Sequence, residues 1–183
     1  MNRRLFISEL VVLSVGFTTV QAQTTGKTIK PNMLFILADD LGWMDLSCYG
    51  SSFYETPNID QLAKEGIRFT NAYAACPVSS PTRASFQTGK YPARLHLTDY
   101  IPGGYAVASR KRIIDATCPV LPVPFVQNLP LSELTIGEAL QQEGYQTAHI
   151  GKWNCSIDSL TYPQYQGYDI NIAGCNKGGP GKG

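Results

Sequence analysis

Histidine is almost missing from this chain: His96 and His149 are the only two in 183 residues. Neither lies beside a serine or cysteine as a local general base would, so a serine hydrolase of the ordinary kind has no support. The five cysteines (Cys48, Cys76, Cys118, Cys155, Cys175) form no CxxC pair, which removes zinc-knuckle and dithiol redox readings. An odd count leaves at least one thiol free, and small buried thiols with room for a single disulfide are the simplest reading. There is no basic excess to collect nucleic acid phosphates, no basic amphipathic helix for a membrane surface, and no internal repeat. No apolar run is long and uninterrupted enough to span a bilayer comfortably.

What is present is the composition of one globular domain, 43% hydrophobic and 16% charged. Arg3 and Arg4 precede a mostly apolar run from Leu5 to Val20, interrupted by Glu9, and Val20-Gln21-Ala22 offers a small-residue cleavage site. Residues 1–22 therefore read as a secretory signal, with an uncleaved membrane anchor as the alternative, and residues 23–183 as the domain. The expected location is outside the cytoplasm, periplasmic or extracellular, without stable membrane association. Cleavage takes away Arg3, Arg4 and Glu9 and leaves thirteen basic against thirteen acidic side chains.

A polar lead-in over 23–32 gives way to Met33-Leu34-Phe35-Ile36-Leu37-Ala38, the continuous apolar run of a strand buried on both faces. Thr56-Pro57 predicts a helix start that runs through Ile59, Leu62 and Ala63 to Gly66. Ile67 to Ala74 alternates as a second strand, and another helix is expected from about Pro81 to Gln87. Residues 101–131 are rich in proline and glycine and read as a surface excursion. Thr135 to Glu138 fits a capping box for a helix to Gln142, with Gly144 as its stop and Tyr145–Ile150 as a further strand. From Gly174 the chain turns Gly-rich. This order implies an α/β layered fold with a mainly parallel sheet, in which these few elements leave the core unfinished.

Two groups of residues carry chemistry. Asp39 and Asp40 follow the first apolar run, where open α/β sheets bind ligands beyond the carboxyl ends of their strands. Adjacent carboxylates there suit a hard cation, calcium or magnesium, or else form a solvated turn. The second group is Cys76-Pro77-Val78-Ser79-Ser80-Pro81-Thr82-Arg83. A serine at a helix start lies in a field that favours anions, and Arg83 one turn on can point back towards it as a fixed cation. From these residues alone, Ser79 is equally a helix cap.

The run Ser79-Ser80-Pro81-Thr82-Arg83, continued by Thr88-Gly89-Lys90-Tyr91-Pro92, resembles the signature of the sulfatase family. Upstream, Asp39-Asp40-Leu41-Gly42-Trp43 through Cys48-Tyr49-Gly50, and Thr56-Pro57-Asn58-Ile59-Asp60, are similar to the family's opening blocks. Downstream, Gly144-Tyr145-Gln146-Thr147 and Gly151-Lys152-Trp153 are similar to its next block. The ordered blocks cover residues 30–175. The resemblance implies the N-terminal portion of an alkaline-phosphatase-like α/β/α sandwich with a mainly parallel sheet. It implies a sulfuric ester hydrolase acting on a sulfated small molecule or carbohydrate through a formylglycine made from Ser79 by a radical maturase. In that chemistry one oxygen of the hydrated aldehyde attacks sulfur and expels the alcohol, and loss of the other hydroxyl's proton then eliminates sulfate. Asp39, Asp40 and residue 79 match calcium ligands, Arg83 matches the arginine that steadies the hydrate, and Lys152 matches the lysine bridging nucleophile and sulfate.

Two departures stand out. Asn154 occupies a place where the family usually has histidine; it can donate a hydrogen bond to the hydrate but cannot exchange a proton near neutral pH. Loss of such a partner costs on the order of 10²–10⁴-fold in rate. The family's later aspartate–asparagine metal pair, and its leaving-group histidine and lysine, have no counterpart before Gly183. The 183 residues alone are therefore expected to hold an incomplete site. A phosphate or phosphonate ester hydrolase of the same superfamily, or a non-catalytic secreted fragment, are the alternative readings. His149, inside the strand leading to Lys152, reads as structural, and Trp43 and Trp153 as core or wall.

Overall fold

A computed structural model describes residues 30–101 and 124–179. The expected signal over 1–22, most of the 101–131 excursion, and Cys118 lie outside the described residues. The chain divides into a unit ending at Ala38 and a unit from Asp39 onward. In the first, Met33–Ala38 is not a strand. It runs without sheet pairing among the described residues, and its side chains are exposed, Phe35 by 63%. An apolar run is only a candidate strand, and without a neighbouring strand to pair with among the described residues it does not become one.

The second unit opens with a 3₁₀ turn, Ser47–Tyr49, closed by Gly50 in the left-handed region (φ 109°). Helix α1, Pro57–Glu65, starts where the Thr-Pro pair places it, but Thr56 does not cap it with its side chain. Thr56 Oγ1 instead accepts from Ser47 N (2.9 Å) and donates to Asp60 Oδ1 (2.9 Å), tying the helix to the turn before it. The expected strand at Ile67–Ala74 is irregular, with Ile67, Phe69 and Tyr73 exposed. Its alternation finds no sheet to pair with among the described residues.

Helix α2, Ser79–Thr88, begins two residues earlier than the proline suggests. Pro81 sits in the first turn, where the missing N–H has no intrahelical partner to lose. Gly89 ends the helix at φ 66°, and the short α3, Pro92–Leu95, follows directly. Helix α4, Ile136–Gln142, carries the full capping box: Thr135 Oγ1 accepts from Glu138 N (3.1 Å) and Thr135 N donates to Glu138 Oε2 (2.8 Å).

Strand β1 is shorter than expected, Ala148–Ile150, and pairs in parallel with β2, Ile170–Ile172, in register Ala148 with Ile170. No alternation announced β2. The loop between them carries two 3₁₀ turns, Ser159–Thr161 and Pro163–Tyr165. Of the unit's apolar side chains, Ala84, Leu95, Leu97, Ile101, Leu129, Trp153 and Cys155 form the buried core, flanked by Phe125, Tyr162 and Tyr168. Trp153 is thus core, whereas Trp43 is 76% exposed. Cys48, Cys76, Cys155 and Cys175 are all free thiols. Ala84 of α2 belongs to this core, and Ser80, Pro81, Arg83, Ser85 and Gln87 of the same helix are also buried.

Candidate active site

Ser79 is the first residue of α2, not its cap; Val78 holds that position without a side-chain bond. The turn entering the helix is fixed instead by Thr82 Oγ1, which donates to Cys76 O at 2.6 Å. Ser79 is half-buried while Ser80 and Arg83 are buried, so the helix presents its first residue at the surface and roots the next turn inside.

Arg83 organises the site. Its Nε donates to Ser79 Oγ at 3.1 Å, its Nη1 to the carbonyl of Lys152, and its Nη2 to Asp39 Oδ1 at 3.3 Å. A guanidinium only 6% exposed needs such partners, because an unpaired buried cation is costly. The planar fork reaches three separated acceptors from three different nitrogens, a spread that a single compact ammonium nitrogen lacks. Lys152 makes an ion pair with the other oxygen of Asp39, so one carboxylate is gripped by two cations. Partial burial pushes the Asp39 carboxyl up. The hydrogen bonds and charges of Lys152 and Arg83 outweigh this and hold it below the usual carboxylate range.

Eight of the residues named from the sequence stand as follows. Ser79, Arg83, Lys152 and Asp39 are drawn into one connected group. Asp40 follows directly, exposed, with a left-handed backbone (φ 55°) that aspartate tolerates better than most residues. Asn154 is also left-handed (φ 51°), and its side chain is engaged elsewhere: Oδ1 accepts from Ser80 Oγ at 3.0 Å. His149 stacks edge-on against Trp153 and Tyr168 at 5.2 and 5.4 Å, and burial, helped by the charge of Arg83, lowers its pKa to about 4. His149 is thus a neutral aromatic of the packing. His96 is an exposed left-handed residue closing α3.

Asp39, Asp40 and Ser79 supply only oxygen, a donor set that fits a hard cation such as calcium in kind. Among the described residues no cluster of three or more histidine, cysteine, aspartate or glutamate side chains could hold a metal unaided. These three residues would therefore contribute part of a coordination shell.

The group was legible from the sequence except for Ser80. This residue fills the variable place of the signature, and only its bond to Asn154, 74 positions away, reveals a part for it.

The family model described as Sulfatase matches residues 31–177. The chain belongs to the sulfatase family. It is 37% identical over 169 residues to the mouse (Mus musculus) arylsulfatase G, covering 87% of this chain and 28% of that protein. It is 36% identical over 149 residues to an N-acetylgalactosamine-6-O-sulfatase of Bacteroides thetaiotaomicron, covering 81% of this chain and 25% of the relative. Among solved structures, Ps i-CgsB superposes with a TM-score of 0.60 at 30% identity over 76% of this chain and 27% of that one. The same protein in complex with k-i-k-neocarrahexaose gives 0.57, at 30% identity over 74% of this chain and 26% of that one. The small parallel sheet with its helices is thus the N-terminal portion of an alkaline-phosphatase-like α/β fold. The chain spans about a quarter of the length of the relatives it matches.

Proposed function

We propose that this chain carries the nucleophile half of a sulfuric ester hydrolase, with position 79 as the reacting residue. The observation that bears the reading is the convergence of Arg83 on Ser79 Oγ, Asp39 and the Lys152 carbonyl. Oxidation of the Ser79 side chain by a radical maturase, with loss of two hydrogens, supplies the aldehyde whose hydrate provides the attacking oxygen. A calcium ion held by Asp39, Asp40 and residue 79 supplies neutralisation of the sulfate oxygens and a lower pKa at the attacking hydroxyl.

The remaining work falls to side chains of this chain. Arg83 holds the oxygen at position 79 in one orientation, because its guanidinium is fixed at three points and cannot swing. The N-terminal N–H groups of α2 and the Arg83 charge favour an anion at this helix end. Lys152, ion-paired with the other oxygen of Asp39, places its ammonium where it can meet a sulfate oxygen. Asp39 keeps both cations oriented and remains ionised throughout the neutral range, since its carboxyl is held low.

The substrate class in this proposal is a sulfate monoester of an aryl alcohol or a carbohydrate, in keeping with relatives named arylsulfatase and N-acetylgalactosamine-6-O-sulfatase. Export guided by residues 1–22 belongs to the same proposal. The test is hydrolysis of 4-nitrophenyl sulfate and 4-nitrophenyl phosphate by the chain co-produced with a serine-type maturase, with calcium. Sulfate turnover that disappears in Ser79→Ala supports the reading. A preference for the phosphate ester replaces it with the phosphoesterase alternative, and a chain that turns over neither ester and whose residue 79 is never oxidised is the non-catalytic fragment.

A further inference from the structure

Asn154 and Ser80 form a buried junction that the reaction outlined above does not use. Asn154 is 4% exposed and Ser80 is fully buried. The Ser80 hydroxyl donates to Asn154 Oδ1 at 3.0 Å and accepts from Ile101 N at 2.8 Å. Asn154 Nδ2 donates to Ile101 O (3.4 Å) and Asn176 O (3.3 Å), while Asn154 N donates to Cys175 O at 3.2 Å. Both amide hydrogens and one face of the amide oxygen are therefore committed within the protein. An asparagine can make all of these bonds at once because it carries both a donor and an acceptor.

The junction joins four pieces of chain: the first turn of α2, residue 101, the Lys152–Asn154 turn, and residues 175–176. Ser80 adjoins Ser79, and Asn154 lies two residues beyond Lys152, so the junction ties the backbone carrying one reactive group to the backbone carrying the other. Arg83 crosses the same gap a second time through its bond to Lys152 O. Two crossings fix both distance and angle where one would leave a hinge. The left-handed backbone of Asn154 (φ 51°) turns its side chain into this contact, and asparagine accepts that conformation at little cost.

We infer that Asn154 and Ser80 are positioning residues, a buried latch that sets Lys152 against position 79. In this chain Asn154 takes no proton and donates none to the reacting atoms; its task is to hold the turn. The inference relies on the proposed function only for the meaning of position 79. The geometry of the latch is independent of turnover, and its test is too.

That test is the rate at which Lys152 of the full chain is acylated by an amine-directed N-hydroxysuccinimide ester, read peptide by peptide by mass spectrometry. Alkylation of Cys155, a fully buried thiol whose pKa burial pushes up to about 12, is followed alongside as the control for folding. Ser80→Ala and Asn154→Ala are each expected to raise Lys152 labelling several-fold while Cys155 stays protected. The double variant is expected to rise by less than the two single effects combined, because both cut the shared Ser80–Asn154 bond. Ser80→Thr, which keeps the hydroxyl, should return labelling to the native rate. If a truncation variant exposes Cys155 it has unfolded, and Asn154→Asp, which keeps the acceptor for Ser80 but loses the Nδ2 bonds to Ile101 O and Asn176 O, is read in its place with a smaller expected rise. Native labelling at Lys152 in folded single variants, or additive rises in the double variant, would overturn the latch. Neither outcome depends on catalysis, so a chain that fails to hydrolyse sulfate esters still decides the matter.

Discussion

Arg83 Nε donates to Ser79 Oγ at 3.1 Å, one helical turn back along the same helix. This contact joins a buried cation to the surface position where the chemistry is proposed. It depends on the helix beginning at Ser79, since residues four apart face each other only when both lie in helical turns.

Substitution of Arg83 should therefore act on reactivity more than on folding. Arg83→Lys keeps a positive charge but cannot reach Ser79, Asp39 and the Lys152 carbonyl together. A stability loss of about 1–2 kcal/mol is expected, because the Asp39 partner is partly exposed and keeps Lys152. Urea unfolding of the variant measures this. Wherever the native protein turns over 4-nitrophenyl sulfate, the variant's activity should fall by on the order of 10²-fold or more, the loss expected when a fixed charge-assisted donor leaves a reacting centre.

The pH dependence of stability should show two separable windows. His149 has a folded pKa of about 4 against an ordinary value of 6.5, caused first by burial and then by the Arg83 charge. Between those values the unfolded chain binds more protons than the folded one, so stability falls as pH drops from 6.5 to 4. The size is about 1–2 kcal/mol after allowance for the ring's partial exposure. His149→Phe keeps the edge-on contacts with Trp153 and Tyr168 and should flatten this window in denaturation measured at pH 7 and pH 4.5. Asp39 acts lower. Its depressed carboxyl stabilises the fold above the ordinary aspartate value, and that contribution is lost as pH falls through the folded value. The Phe variant should leave this second loss unchanged.

Gly137 and Gly167 lock α4 to the turn before β2. A Cβ on Gly137 would lie 2.7 Å from Gly167 O, and one on Gly167 would lie 2.1 Å from Glu138 N, with the Gly167 backbone at φ 80°. All of the blocking atoms are backbone, so they cannot step aside. Gly137→Ala should cost about 1–3 kcal/mol by overpacking, and Gly167→Ala at least as much, since strain adds to the clash. Thermal unfolding checks both, and a native-like midpoint for Gly167→Ala would contradict this packing.

Much of this site was readable in the sequence because its residues sit in short, ordered motifs. Ser79, Arg83, Asp39 and Lys152 were named from such motifs and do meet. The capping box at Thr135 and Glu138 was equally legible, being a local hydrogen-bond exchange within four residues. What failed depended on distant partners. Met33–Ala38 and Ile67–Ala74 have strand-like patterns but no sheet to join among the described residues, and β2 exists only through its pairing with β1. Ser80 stayed invisible for the same reason, since its significance comes from Asn154 and Ile101, not from its neighbours in sequence.

The most direct test of position 79 as the reacting residue is the mass of its peptide. The chain, co-produced with a serine-type radical maturase and digested with trypsin, should yield a fraction of that peptide lighter by two hydrogens. That fraction should react with a hydrazide probe and be missing from Ser79→Ala. A peptide that keeps its full serine mass beside a maturase proven active on another sulfatase would contradict the assignment.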